Sequence, residues 1–98
     1  LAAASNADWA VPGFAANIID QAGATSWPIV SPTFILLPTN PQDAARSANV
    51  RKFFDWAFTK GGPAAEDLDY IPMPANVVGL IKKEWANVTD TGGKPLIN

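Results

Sequence analysis

The chain has 98 residues, room for one small domain. Its 48% hydrophobic and 16% charged residues fit a soluble globular core and exclude a disordered chain, which needs low hydrophobicity and high net charge. A net charge of −2 with no basic residue before Arg46 excludes the Lys/Arg stripe of a nucleic-acid binder, and the lack of Cys and His removes disulfides, thiol nucleophiles and the commonest general base and metal ligand.

Residues 1–5 are Ala-rich and suit the tail of a helix. The start at Leu1 has neither the charged nor the apolar region of a signal peptide and no initiator Met, so it reads as a cleaved N-terminus or as the interior of a longer chain. Residues 6–32 carry Pro12, Gly13, Gly23, Pro28 and Pro32, punctuation that favours loops and short extended pieces. Phe14, Ile18 and Ile19 are the apolar anchors of that stretch, and Asn17 to Gln21 fits a short strand or a single turn equally well.

Trp27 to Leu37 reads as extended structure because β-branched and aromatic residues dominate it, with a break expected at Pro32. Phe34-Ile35-Leu36-Leu37 is apolar on both faces, as a strand covered by helices on both sides is. A helix then follows, with Asn40 as its cap, Pro41 at its first position and Asp43 in its first turn. Val50, Phe53, Phe54 and Ala57 share one face of it, Trp56 lies on the flank, and Gly61-Gly62-Pro63 ends it after Lys60. Pro63 to Pro74 reads as a connector. A second amphipathic helix spans about Pro74 to Asn87, with Val77, Val78, Ile81, Trp85 and Val88 facing the core and Lys83 facing away. Thr89 to Lys94 is rich in turn residues, and Pro95-Leu96-Ile97 fits a short terminal strand.

Each motif with a chemical reading has a plainer one that fits better. Gly92-Gly93-Lys94 lacks the first glycine and the Ser/Thr of a phosphate loop and runs into Pro95, so it reads as a turn. Glu66, Asp67 and Asp69 lack the calcium-loop pattern and read as a solvated connector. Asn87-Val88-Thr89 is a sequon of a length that arises by chance. Ser5, Ser26, Ser31 and Ser47 have no His to activate them, and no carboxylate pair is fixed across a cleft, so no catalytic residue is assigned. Phe53, Phe54, Phe58 and Trp85, at helical spacing, read as core before they read as a ligand pocket. No metal ligand set and no cofactor motif is found.

Two stretches go further. One runs Ser26-Trp27-Pro28-Ile29-Val30-Ser31-Pro32-Thr33-Phe34-Ile35-Leu36-Leu37. The other runs from Val50 through Phe53-Phe54-Asp55-Trp56-Ala57 to Asp67-Leu68-Asp69-Tyr70-Ile71-Pro72-Met73-Pro74. Together with Ala7-Asp8-Trp9 and Asp90 to Leu96, they resemble the C-terminal region of the periplasmic phosphate-binding proteins of bacterial phosphate ABC transporters. The resemblance implies an α/β, two-lobed Venus-flytrap fold of type II. Residues 1–27 would end the second lobe, Trp27, Pro28 and Ile29 would cross the hinge, and residues 28–98 would complete the first lobe. It implies a solute receptor in the periplasm that hands inorganic phosphate to a membrane permease. The family's phosphate ligands lie upstream of the matched segment, so no phosphate-binding residue is expected in this chain. Val11-Pro12-Gly13 departs from the family pattern. An alternative reading is a structural piece without ligand binding, which self-associates through Trp56 and the two-sided segment Phe34 to Leu37.

Overall fold

In the computed structural model, which describes residues 6–96, a loop-rich stretch up to Asp43 leads into three helices: α1 (Ala44–Lys60), α2 (Gly62–Asp67) and α3 (Ala75–Trp85). A 3-10 turn at Pro12–Phe14 precedes them. No described helix is long and apolar enough to cross a membrane.

Helix α1 begins three residues later than Pro41, because Asp43 is the better cap. Its Oδ1 accepts the backbone N–H of Arg46 at 3.0 Å, which satisfies one of the free donors of the first turn and sets a carboxylate at the positive end of the helix dipole. Pro41 is instead buried ahead of the helix. The expected end holds: Lys60 is the last helical residue, and Gly61 donates its N–H to Ala57 O at 3.0 Å. The close approach explains the glycine, since a Cβ there would lie 2.7 Å from Ala57 O.

The expected connector after Gly61 contains a helix of its own. Six residues form α2, with Pro63 in its first turn, where the missing N–H is tolerated. Leu68 and Asp69 close it, with Asp69 at φ +63° and Tyr70 N–H returning to Ala65 O at 2.9 Å. Helix α3 follows the predicted stripe and is three residues shorter than predicted. Val77 and Val88 are buried, Val78, Ile81 and Trp85 are half-buried, and Lys83 is exposed.

The core sits where the N-terminal loop crosses α3. Trp9, Ile18 and Val77 form its centre, and Phe14, Met73, Leu80 and Ile81 pack around them. Loop residues therefore do the covering that a sheet would do in a layered fold.

The expected strands do not form among the described residues. Trp27 to Leu37, including Trp27, Pro28 and Ile29 where the hinge was expected, has no ladder partner; Asp20 N–H donates to Pro28 O at 2.9 Å. The reason is physical: a strand is completed by a neighbour's N–H and C=O groups, and no described segment offers a second edge. No α/β layering arises among the described residues, whose elements are helical. Helices do not cover Phe34 to Leu37 on both faces either, and Leu36 is 93% exposed. The terminal strand reduces to an isolated antiparallel bridge between Thr89 and Pro95; Ile97 lies outside the described residues, as does the Ala-rich start.

The radius of gyration is 15.0 Å. A close-packed domain of this length has about 13 Å. The excess matches a chain that leaves much of its apolar surface open.

Candidate functional site

Helix α1 turns a mixed stripe inward. Ser47 and Arg51, one turn apart, are 8% and 1% exposed, and Phe54 and Phe58 continue the stripe half-buried. Of the predicted face, Phe54 lies in this stripe and Val50 and Ala57 are half-buried, while Phe53, like Trp56 on the flank, is more than half exposed. Their rings lie 6.2 Å apart, and Phe53 meets Phe54 edge-on at 5.3 Å. Phe58 reaches across to Trp85 of α3 at 6.1 Å. An ion pair from Lys82 Nζ to Asp55 Oδ1 at 2.6 Å joins the same two helices.

Arg51 is the buried charge among the described residues. One Nη2–H donates to Pro38 O at 2.7 Å and ties α1 to the extended segment. Its Nε and the Ser47 hydroxyl are both buried without a hydrogen-bond partner. Among the described residues the ion pairs are Arg46–Asp43 and Lys82–Asp55, so no carboxylate meets Arg51. Burial pushes its guanidinium below the ordinary arginine pKa, because the charged form loses water without gaining a counter-charge.

Between the extended segment and the helices lies a cleft of about 780 Å³. Phe34, Leu36, Phe54, Phe58, Val77 and Trp85 supply most of its wall, and Arg51 and Glu84 are the charged residues of its lining. Its size is that of a ligand pocket, yet it has no converging set of polar groups to orient a small polar molecule. What it can do chemically is take up apolar surface beside one positive charge.

Of the other residues singled out in the sequence, Asn87 and Val88 line this cleft, and those that follow do not. Trp27 and Ile29 are exposed at the surface. Ser26 Oγ donates to Ala22 O at 3.1 Å and Ser31 Oγ to Pro32 O at 3.4 Å, both local turn contacts. Ser5 lies outside the described residues. Glu66, Asp67 and Asp69 are exposed, and no group of three acidic residues is gathered to hold a metal among the described residues. Gly92 and Lys94 donate their N–H groups to Asp90 Oδ1 at 2.8 and 2.9 Å, so the Gly-Gly-Lys stretch is a turn organised by Asp90. Arg51 escaped the sequence reading because a basic residue on an apolar helix is expected to reach water. The available signal was its spacing of four from Ser47 and three from Phe54.

No protein-family model matches the chain. Comparison with curated proteins instead places it among solute-binding proteins. A phosphate-binding protein PstS of Haemophilus influenzae is 44% identical over 86 residues, 87% of this chain and 26% of that protein. PstS of Pasteurella multocida is 39% identical over 98 residues, 98% of this chain and 28% of that protein. PstS of Xylella fastidiosa is 41% identical over 87 residues, 88% of this chain and 24% of that protein. The chain belongs to the PstS phosphate-binding protein family, as a C-terminal part of it. It spans about a quarter of the length of the relatives it matches. Membership of that family implies a type II periplasmic binding protein.

Proposed function

We propose that the protein to which this chain belongs is the phosphate receptor of an ABC importer, working in the periplasm, and that this segment gives it structure and supplies no phosphate ligand. One observation carries the reading: identity of 39–44% to proteins named as phosphate-binding proteins, maintained over 86 residues or more. In this reading the intact protein closes its two lobes over inorganic phosphate by hinge bending and delivers it to a membrane permease. Residues 1–27 end the second lobe, Trp27, Pro28 and Ile29 cross the hinge, and residues 28–98 complete the first lobe.

Two features of the site support the assignment of the ligands to other parts of the protein. The start of α1 already carries the Asp43 carboxylate, which repels an anion from the free N–H groups there. The cleft is apolar and offers a single guanidinium, whereas an oxyanion needs several converging donors. The reading also requires no catalytic residue in this segment and no metal.

Isothermal titration tests it. The intact protein binds inorganic phosphate with one site, and the 98-residue segment by itself shows no saturable heat. Specific phosphate binding by the segment alone would overturn the assignment of ligands upstream. Failure of the intact protein to bind phosphate would overturn the receptor reading.

A further inference from the structure

The cleft and the buried Arg51 point to one missing piece. Leu36 is 93% exposed, and Phe34 and Ile35 are each more than half exposed, on a stretch with no ladder partner. Such a run of neighbouring large apolar side chains is a contact surface. Arg51 lies in the same lining, 1% exposed, its Nε without a partner and the Ser47 hydroxyl unpartnered one turn away. A buried guanidinium is tolerated when a carboxylate meets it and is costly when none does. No carboxylate among the described residues forms an ion pair with it. Asp55 pairs with Lys82, Asp90 holds its own turn, and Glu84 sits exposed on α3 with no ion pair to Arg51. About three quarters of the length of the matched relatives lies outside this chain.

We infer that the cleft is the docking site for a segment of the upstream part of the same protein, apolar in the main and carrying one Asp or Glu whose carboxylate pairs with Arg51 beside Ser47. The inference rests on the family reading, in which an upstream part exists. The occupant is fixed by two complementarities. Apolar side chains cover Phe34, Leu36, Phe54 and Trp85, and one negative charge answers the one buried positive charge. Thr33 to Leu37 then gains the backbone partners that its composition asks for, by adding an edge to that segment.

Two measurements on the intact protein test this. Arg51→Gln keeps an N–H for Pro38 O and removes the charge. If a carboxylate is seated there, the variant strands it, and the thermal midpoint at pH 7 falls by several degrees. A carboxylate paired in the fold has a depressed pKa. The gap between wild type and variant is therefore full above about pH 4 and closes as the pH falls below it. The same gap persists in a Glu84→Gln background. A midpoint equal to or above that of wild type overturns the pairing, because removal of an unanswered buried charge relieves its desolvation. Disappearance of the gap in the Glu84→Gln background also overturns it, by assigning the partner to this chain.

The second measurement uses Leu36→Cys, since the segment has no cysteine of its own. Labelling of that thiol in the intact protein is slowed about a hundredfold or more against the protein unfolded in urea, as for a covered position. Labelling at the unfolded rate overturns the docking, and protection that grows with protein concentration assigns the cover to a second copy and overturns it as well. Phosphate binding is measured on the same samples. Its loss in wild type sinks the receptor reading and leaves both docking readouts standing.

Discussion

Lys82 Nζ lies 2.6 Å from Asp55 Oδ1, and this ion pair clamps the middle of α1 to the second half of α3. Both side chains are close to half exposed, at 39% and 47%, so water and salt screen the pair and its contribution is small. A double-mutant cycle with Lys82→Ala and Asp55→Ala is expected to give a coupling of about 0.5 kcal/mol that fades at molar salt. A coupling above about 2 kcal/mol would show that the pair is desolvated in the intact protein.

The cap at Asp43 is local and therefore separable from the rest of the fold. Its carboxylate takes the Arg46 N–H at 3.0 Å, and its other oxygen lies 3.7 Å from the Arg46 guanidinium, an exposed contact that adds little. Asp43→Ala is expected to destabilise the protein by about 1 kcal/mol in urea unfolding, and Asp43→Asn to restore most of that loss. Equal losses in both variants would assign the effect to the charge of Asp43 instead of to its capping bond.

The helices were legible because their signals are local. Gly61 after Lys60, the stripe of Val77, Ile81 and Trp85, and the turn at Asp90 to Lys94 each depend on a few neighbouring residues, and the structure keeps them. The start of α1 moved from Pro41 to Ala44 because two side chains, Asn40 and Asp43, competed to cap it. The strand expected at Phe34 to Leu37 is a different matter. Its β-rich composition is a property of the segment, but a strand is a property of a pair, and no second member lies among the described residues. The same distinction explains Arg51. Helical periodicity identifies which residues share a face, yet the buried face of α1 is chosen by what packs on it, here Pro38 and the extended segment.

Two glycines give opposite predictions. Gly61 ends α1 so close to its own last turn that a Cβ would meet Ala57 O at 2.7 Å, a backbone atom that cannot step aside. Gly79 lies in the interior of α3, exposed, with nothing within 4 Å of a Cβ. Gly61→Ala is therefore expected to lower stability by about 1 kcal/mol or more, through the shift forced on the helix end. Gly79→Ala is expected to raise it by about 0.5–1 kcal/mol, because alanine loses less backbone entropy in a helix. Thermal unfolding of the two variants side by side checks the pair. A gain at Gly61 would mean that the end of α1 is free to relax.

Val77 is where the N-terminal loop and α3 meet. It is 1% exposed and lies in one cluster with Trp9 and Ile18, which come from a stretch with little secondary structure of its own. That stretch is held by burial more than by backbone hydrogen bonds, so the cluster decides whether it stays in place. Val77→Ala removes two carbons from a site with no exposure and leaves a cavity, at an expected cost of about 2 kcal/mol. The loss should appear locally as well as globally: amide exchange at Trp9 to Ile18 should speed up more than exchange within α1, because the loop has lost the contact that orders it. Equal acceleration in both regions would mean that the loop and α1 open together, and the Val77 cluster would then belong to a single cooperative unit that includes the Arg51–Pro38 tie.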